Sequence, residues 1–361
     1  MSNTLFESFK SKHLELKNKV VMAPMTRSRA IDNLANDLMA EYYGQRSEAG
    51  LIITEGTAPS PNGLGYPRIP AIYNQEQAES WKAVTAKVHE NGSRIFLQIM
   101  HTGRISHPGN FPEGGQHLAP SAIAVGEPFN QMYVDGEGML EIPEPSAMTT
   151  SQIKDAIAEY AATAKLAIEV GFDGVEVHGA NGYLINQFLT PKSNERTDEY
   201  GGSMENRLRF LNEIVAATIE AIGKERVGLR ISPYGVFNGM GEFEGIDEQY
   251  VQLAKDMANF DIAYIHIADM SGMTQVPVPS EIKSAIKENF GGTLILNGGY
   301  TKEKATEALE SDHADLIAFG VPFIANPDLV TRMKEGIELA QPNQDTFYTP
   351  GADGYTDYPK A

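Results

Sequence analysis

The feature that most constrains the fold is an eightfold alternation of short apolar, β-branched runs with longer amphipathic stretches. The short runs predict strands at residues 20–25, 51–56, 94–100, 174–178, 227–232, 264–269, 293–298 and 316–320. The amphipathic stretches predict helices between them, for example at 75–91, 151–170, 204–222, 248–259 and 302–311. Eight such alternations in one chain favour a closed parallel (β/α)8 barrel of the TIM type over an open sheet.

The length and the one long irregular segment fit a single barrel. A chain of 361 residues is normal for a (β/α)8 barrel with insertions, so we expect one domain over residues 1–361. Residues 107–148, between the third and fourth predicted strands, are rich in proline and glycine and show little helical periodicity. Because this segment is too long for an ordinary connection, we predict an insertion that caps the barrel mouth.

Composition excludes several classes of protein. The absence of cysteine excludes disulfides, thiolate nucleophiles and cysteine-held iron–sulfur or zinc sites. A formal charge of −19 repels nucleic-acid phosphates. No apolar run reaches the roughly 18 residues that predict a membrane span, and residues 1–4 do not begin a secretory signal. We therefore predict a cytoplasmic enzyme for small molecules, a monomer or weak homodimer, that contacts neither nucleic acid nor membrane.

Polar residues follow the fourth predicted strand, where barrel active sites are built. Alternation along the strand places Glu176 and His178 on the same face. His178, Asn181 and Tyr183 then cluster where the strand leaves the barrel. A single histidine there is more often structural, but three hydrogen-bonding groups within six positions, flanked by glycines, favour a site. Histidine and asparagine can jointly hold one substrate oxygen, and the tyrosine can deliver a proton.

Two further polar residues interrupt apolar strands. Arg230 lies within the fifth predicted strand, and Gln98 lies within the third. Burial of a permanent cation is costly unless an anion or a strong acceptor faces it. Arg230 therefore faces either Glu176 in an internal salt bridge or a ligand that carries negative charge at the barrel axis. The amide of Gln98 can pair with a heterocycle edge, which offers both donors and acceptors.

The ends of the seventh and eighth predicted strands are rich in glycine. Asn297, Gly298 and Gly299 end the seventh, and Gly320 and Val321 end the eighth. The loops after these two strands form the recurrent phosphate site of (β/α)8 barrels. Together with the buried arginine and glutamine, this pattern indicates a flat, phosphorylated heterocycle as ligand.

At this point the sequence resembles the old yellow enzyme family, and most closely its bacterial branch of enone, maleimide and nitrate-ester reductases. The resemblance covers the chain nearly end to end and is specific because the motifs occur in order. These motifs are Met22-Ala23-Pro24-Met25-Thr26-Arg27, Gln98-Ile99-Met100-His101-Thr102-Gly103-Arg104, His178-Gly179-Ala180-Asn181-Gly182-Tyr183-Leu184, Asp198-Glu199-Tyr200-Gly201-Gly202-Ser203, Arg230-Ile231-Ser232-Pro233, Asn297-Gly298-Gly299 and Phe319-Gly320-Val321-Pro322.

The resemblance implies non-covalent FMN as cofactor. It implies that the isoalloxazine contacts Thr26 at its O4, Gln98 at its pyrimidine edge and Arg230 at N1 and O2. The remaining cofactor residues would contact the ring through backbone at Ala23, Pro24, Met25 and Gly56. Those around the phosphate would be Asn297, Gly298, Gly299, Gly320 and Val321.

The resemblance also implies the reaction. Hydride would pass from NADPH or NADH through the flavin to an activated alkene, whose carbonyl or nitro oxygen His178 and Asn181 would hold. Tyr183 would then protonate the substrate carbon. Tyr66, Met100 and Tyr348 would line the substrate pocket, and no metal is expected. Many relatives carry Trp at the position of Met100 and Arg at that of Val321.

Several alternatives stay open at the level of the sequence. Within the family, reductive denitration of nitrate esters could be the main activity. A sugar-phosphate aldolase or isomerase would need a lysine or a carboxylate base at a strand end, and no strand end carries a lysine. A metal-dependent hydrolase would need more ligands beside Glu176 and His178. A flavin-storage protein would not need the His178, Asn181 and Tyr183 set.

Overall fold

A computed structural model describes residues 4–361, and it confirms the (β/α)8 barrel. Eight parallel strands form one closed sheet in which each strand pairs with its neighbours in sequence and the eighth pairs with the first. The strands are β1 Val20–Met22, β2 Leu51–Ile53, β3 Arg94–Ile99, β4 Gly174–Gly179, β5 Val227–Ile231, β6 Tyr264–Ala268, β7 Thr293–Asn297 and β8 Leu316–Phe319.

Helices cover the outside of the barrel. They are α1 Asp37–Gln45, α2 Gln75–Ser80, α3 Lys82–His89, α4 Thr150–Glu169, α5 Leu184–Leu189, α6 Met204–Ile222, α7 Ile246–Phe260, α8 Ser271–Thr274, α9 Ser280–Phe290, α10 Lys302–Glu310, α11 Val321–Ala325 and α12 Leu329–Glu335. Local sequence explains where the long helices begin. A capping box formed by Thr149 and Gln152 starts α4, and the side chain of Ser203 caps α6.

Strands β1 and β2 are shorter than the sequence predicted. The ladder between β2 and β3 changes after Ile53. The N–H of Thr54 still donates to the Phe96 carbonyl at 3.0 Å, but the N–H of Gln98 donates to the side chain of Thr54 at 3.1 Å, and the N–H of Glu55 donates to the hydroxyl of Tyr43 at 3.0 Å. Pairing resumes at Thr57, whose N–H donates to the carbonyl of Gln98 at 2.9 Å. The chain is thereby released from the sheet at Gly56, near the barrel mouth.

The barrel interior is apolar at one end and polar at the other. The lower interior packs around Phe96 and Tyr264 and is closed by Leu14 and Leu16 of the N-terminal hairpin. One layer higher, the register places His178 opposite Arg230 and Arg230 opposite His266. The polar layer therefore lies toward the carboxyl ends of the strands, where barrel sites form.

The segment 107–148 contains a β-hairpin of Gln131–Val134 and Gly138–Glu141. Along its first strand the burial alternates, so that Met132 points inward while Tyr133 is exposed. Met132 packs in one apolar cluster with Met100, Tyr183 and Ile142. The hairpin thus lies against the residues predicted to form the substrate pocket.

Residues 1–3 lie outside the described range. They belong to the first four residues, for which the sequence predicted no secretory signal. Across residues 4–361, the helices are all too short or too polar to cross a membrane.

Candidate active site

A single carboxylate organises the floor of the mouth. Glu176 is fully buried and accepts hydrogen bonds from Gln98 Nε2 at 2.7 Å, Tyr264 Oη at 3.1 Å and His266 Nδ1 at 2.8 Å. Burial alone would raise the pKa of Glu176, but His266, then Arg230 and Gln98, hold it below its ordinary value. Burial lowers the pKa of His266, so the pair consists of a carboxylate and a neutral imidazole at neutral pH.

Arg230 is buried beside this carboxylate but is not paired with it. Its Nη2 donates to Asn297 Oδ1 at 2.9 Å, and among the ion pairs found in residues 4–361 none joins Arg230 to Glu176. The Nε of Arg230 is buried without any hydrogen-bond partner. Because an unpaired buried donor of a cation is costly, this geometry favours a ligand acceptor over the internal salt bridge.

His178 lies opposite Arg230 in the sheet, and its surroundings fix its protonation state. The N–H of Ala180 donates to His178 Nδ1 at 3.3 Å, which leaves the proton of the neutral ring on Nε2. Burial, then the charge of Arg230, lowers the pKa of His178 well below its ordinary value. His178 is therefore a neutral hydrogen-bond donor through Nε2.

Two tyrosines meet beside His178, and a third lies nearer to solvent. The hydroxyls of Tyr183 and Tyr66 are 3.0 Å apart, and the rings of Tyr183 and His178 lie edge to face at 5.0 Å. Burial raises the pKa of Tyr66 to about 12 and that of Tyr183 well above its ordinary value, with Tyr348 contributing to both. Tyr183 is thus a protonated phenol, and Tyr348, 60% exposed, lies at the entrance.

Asn181 is held in a left-handed conformation with φ of 58°. Its N–H donates to Ser232 Oγ at 2.8 Å, and its carbonyl accepts from Asn238 Nδ2 at 2.9 Å. Its side-chain Oδ1, an acceptor, is buried without a partner, and none of the hydrogen bonds found in residues 4–361 uses its donor, Nδ2. The backbone of Asn181 is fixed while its amide is left for a ligand.

The ends of β1 and β2 border the same opening. Ala23 is buried, and the next three residues are half-buried, as expected of backbone that lines a cleft: Pro24, Met25 and Thr26. A Cβ on Gly56 would collide with the side chain of Met100, so this glycine makes room for Met100 itself. Met100 is buried in the cluster that contains Tyr183.

The predicted phosphate residues meet where β7, β8 and β1 end. A Cβ on Gly320 would lie 3.6 Å from Met25 Sδ, whereas nothing lies within 4 Å of one on Gly299. Gly298 has a φ of 149° and no room for a side chain, because Asp269 packs against it. The amide of Asn297 is used by Arg230 and by the Ala318 carbonyl, so its side chain supports the arginine rather than a phosphate.

Comparison with known proteins now decides the family. A family model described as the NADH:flavin oxidoreductase / NADH oxidase family matches residues 4–340. The chain belongs to this family. It is therefore a flavin-dependent oxidoreductase with FMN as cofactor and a nicotinamide as reductant.

Individual relatives are similar along their whole lengths. A probable flavin mononucleotide-dependent alkene reductase of Leishmania infantum is 43% identical, with 95% of this chain and 94% of that protein covered. The 12-oxophytodienoate reductase 7 of Oryza sativa subsp. japonica is 39% identical, over 98% of this chain and 94% of the relative. A solved structure of morphinone reductase shares 41% identity and a TM-score of 0.95, with 100% of this chain and 97% of that chain covered.

The residues of the polar layer fit FMN on structural grounds. The buried Nε of Arg230 needs an acceptor, and the flavin pyrimidine ring offers one at its O2 and N1 edge. Gln98 lies in the same layer with its amide oriented by Glu176. At the other end, the open backbone at Gly299 leaves space for a phosphate.

Sequence reasoning missed three residues of this site. His266 and Tyr264 are polar residues in an apolar strand, the same signal that singled out Arg230, and both bond to Glu176. Asn238 Nδ2 donates to the carbonyl of Asn181 at 2.9 Å. It occupies a loop position with φ of 56°, for which no periodicity gives a signal.

Proposed function

We propose that this flavoenzyme reduces activated alkenes, namely α,β-unsaturated carbonyls, maleimides and nitroalkenes, with NADPH or NADH as the hydride source. The observation that carries the proposal is one arrangement. At the end of β4 lie a neutral His178 donor, an Asn181 side chain bonded to no other group of residues 4–361, and a protonated Tyr183, beside the strand that carries a buried arginine with an unpaired Nε.

FMN, when bound, supplies the hydride chemistry that amino-acid side chains lack. Arg230 and Gln98 would hold the pyrimidine edge of its ring, with Thr26 at O4. Ala23, Pro24, Met25 and Gly56 would contribute backbone. Gly298, Gly299, Gly320 and Val321 would surround the phosphate, while Asn297 would fix Arg230.

The chain's own contribution to the reaction starts with His178 and Asn181. Both would donate to the carbonyl or nitro oxygen of the substrate, and so draw electron density away from the alkene. Each donor of this kind is typically worth about 10²–10³ in rate when it meets developing charge. Because the neutral His178 ring already carries a proton on Nε2, it can donate this hydrogen bond without taking a proton from another group of the site.

Tyr183 would then protonate the substrate carbon. Its raised pKa keeps the phenol protonated at neutral pH, and the nearby hydroxyl of Tyr66 fixes its direction. Met100, Tyr66 and Tyr348 would form the walls of the pocket. Tyr183 comes from the loop after β4, which also carries Asn181, so both groups are positioned by one strand.

Two other activities are less well supported. Reductive denitration of nitrate esters would use the same oxygen-binding pair but would not need a proton donor aimed at carbon. In a barrel aldolase or isomerase of sugar phosphates, the buried Nε of Arg230 would have no ligand acceptor. A metal-dependent reaction would need a ligand cluster, and residues 4–361 contain no group of three or more suitable side chains.

A substrate panel tests the proposal. The purified holoprotein is given NADH or NADPH under anaerobic conditions with 2-cyclohexenone, N-ethylmaleimide, a nitroalkene and a nitrate ester. We expect saturated ketone, succinimide and nitroalkane as products. Release of nitrite from the nitrate ester, with the enone and the maleimide returned unchanged, would contradict the proposal in favour of denitration.

The domain organisation, cellular location, partners and oligomeric state of the enzyme are part of the same proposal. We expect one domain over residues 1–361, with residues 107–148 as the cap over the mouth. The absence of cysteine suits the cytoplasm, and the formal charge of −19 disfavours nucleic acid as a partner. We expect a monomer or weak homodimer, which sedimentation of the holoprotein at two concentrations would test.

A further inference from the structure

The surface through which a nicotinamide dinucleotide must reach the barrel axis carries an unusual distribution of charge. The capping segment 107–148 contains no lysine or arginine in its whole length. Its six carboxylates are all exposed: Glu113, Glu127, Asp135, Glu137, Glu141 and Glu144. Because residues of the cap pack in one cluster with Tyr183 and Met100, a dinucleotide that extends out of the pocket would pass beside the cap.

The remaining loops of the mouth offer few free cations. Between the end of each barrel strand and the long helix that follows, residues 4–361 contain six basic side chains: Arg27, Arg29, Arg68, Arg104, Lys192 and Arg196. Three of these are buried and bonded to backbone carbonyls. Arg27 donates to Gly354 at 2.7 Å, Arg29 to Thr346 at 2.8 Å and Arg104 to Asn238 at 3.3 Å.

Two more arginines are neutralised by acids of the rim. Arg68 pairs with Asp135 at the tip of the capping hairpin and donates to the Tyr348 carbonyl at 2.9 Å. Arg196 pairs with Asp198 and donates to the Met148 carbonyl at 2.5 Å. Lys192 is exposed beside Gly241, and Glu242 follows directly with another exposed carboxylate.

We propose that the enzyme takes NADH in preference to NADPH, because the carboxylates of the rim repel the 2′-phosphate and the five arginines of the rim are already bonded to protein groups. The lysine of the rim, Lys192, lies close to Gly241, which the exposed carboxylate of Glu242 follows. The two reductants differ only in the 2′-phosphate. A phosphomonoester carries about −1.5 to −2 charges near pH 7 and is recognised by arginine or lysine. Carboxylates instead accept a hydrogen bond from the free ribose 2′-hydroxyl of NADH. The proposal rests on the proposed function only in taking the barrel mouth as the entry of the dinucleotide.

Two measurements test the preference. Stopped-flow bleaching of the holoenzyme at low salt is expected to give a second-order rate constant at least about 10-fold higher for NADH, the loss typical of one missing charge-assisted bond. The gap should narrow as salt rises, because screening weakens the repulsion. Calorimetric binding of tetrahydroNAD and tetrahydroNADP, which cannot transfer hydride, should show the same order.

A matched pair of variants locates the effect. Glu137→Lys places a cation at the exposed hairpin tip and is expected to reduce the NADH-to-NADPH ratio several-fold. Glu90→Lys makes the same charge change after α3, at the opposite end of the barrel, and should leave the ratio unchanged. Lys192→Gln should also leave it unchanged.

Equal affinity for the two tetrahydro analogues, or faster bleaching by NADPH, would overturn the proposal. So would a fall in NADPH use on Lys192→Gln, since Lys192 would then be the phosphate ligand. Failure of the proposed function looks different. In that case, NADH preference would persist in both measurements while no activated alkene was reduced.

Discussion

The two ends of the proposed flavin site are built in different ways. At the ring edge, Gln98, Glu176 and Arg230 extend from neighbouring strands and are buried; Gln98 is bonded to Glu176, and Arg230 is bonded to Asn297. At the phosphate end, Gly299 is open and Val321 is 54% exposed. In the proposed site, side chains held by hydrogen bonds would recognise the ring edge, and a loop backbone would recognise the phosphate. Substitutions should accordingly have large effects at the first end and small ones at the second.

The largest effect is expected directly above the ring edge, at Tyr183→Phe. Alkene reduction should fall about 10²–10⁴-fold, because the carbon loses its positioned acid. Bleaching by NADH and the FMN content should stay near those of the parent, since neither needs that proton. Separate stopped-flow traces of the two half-reactions measure this, with Tyr133→Phe on the exposed hairpin as control. An enone that reoxidised the Tyr183→Phe protein at the parent rate would exclude Tyr183 as the acid.

Arg230→Met tests the ring edge itself. Removing a charge-assisted hydrogen bond should cost about 1.5–3 kcal/mol, which weakens FMN binding about 10- to 100-fold. The flavin should also become harder to reduce, because the reduced ring carries negative charge. Fluorescence titration of apoprotein with FMN and a potentiometric titration measure the two effects. An FMN affinity and a flavin reduction potential equal to those of the parent would mean that Arg230 stabilises only the barrel core.

The surroundings of Glu176 also contrast with those of a second buried carboxylate, Glu55, which follows β2. Glu55 accepts from the Arg27 N–H at 3.2 Å and from Tyr43 Oη at 3.2 Å, with no lysine, arginine or histidine side chain bonded to it. Burial raises the pKa of Glu55 from 4.5 to about 7, whereas the pKa of Glu176 is lowered. Burial therefore does not decide the charge of these carboxylates; the groups around them do.

This contrast predicts a pH-dependent stability. The folded-state pKa of Glu55 is raised, so its stabilising contribution is complete below about pH 4.5 and is lost as pH rises through about 7. Glu55→Gln cannot ionise. Its thermal midpoint relative to the parent should therefore rise between pH 5 and pH 8, by the equivalent of about 3 kcal/mol at most. An identical difference at the two pH values would place the Glu55 pKa outside this window; Glu90→Gln is the exposed control.

The smallest effect is expected at the phosphate end. Val321→Arg adds the cation that many old yellow enzymes carry at this position, and should tighten FMN only several-fold because the site is exposed and screened. The affinity should approach that of the parent at high salt. Fluorescence titration at two salt concentrations measures this. Unchanged or weaker binding at low salt would mean that the phosphate lies away from Val321.

The same contrast explains what the sequence could predict. Arg230 and Gln98 stand out because a polar residue in an apolar strand must have a partner, and the strand period gives its direction. Asn238 is a loop residue with a positive φ. The ion pair of Arg68 with Asp135 joins two loops across 67 positions of the sequence. Such contacts depend on tertiary geometry. The break in the β2 ladder likewise depends on a tertiary contact, because the N–H of Gln98 bonds to the side chain of Thr54, 44 positions away.

The most direct measurement of the central claim is an anaerobic titration of the purified protein followed by its visible spectrum. We expect about one FMN per chain, released intact on denaturation, because in the proposed site Arg230 and Gln98 would bind the ring without a covalent bond. Addition of NADH should bleach the flavin band, and an equal amount of 2-cyclohexenone should restore it with formation of cyclohexanone. A colourless protein that takes up no FMN, bound FAD, or a bleached flavin that only oxygen reoxidises would contradict the account.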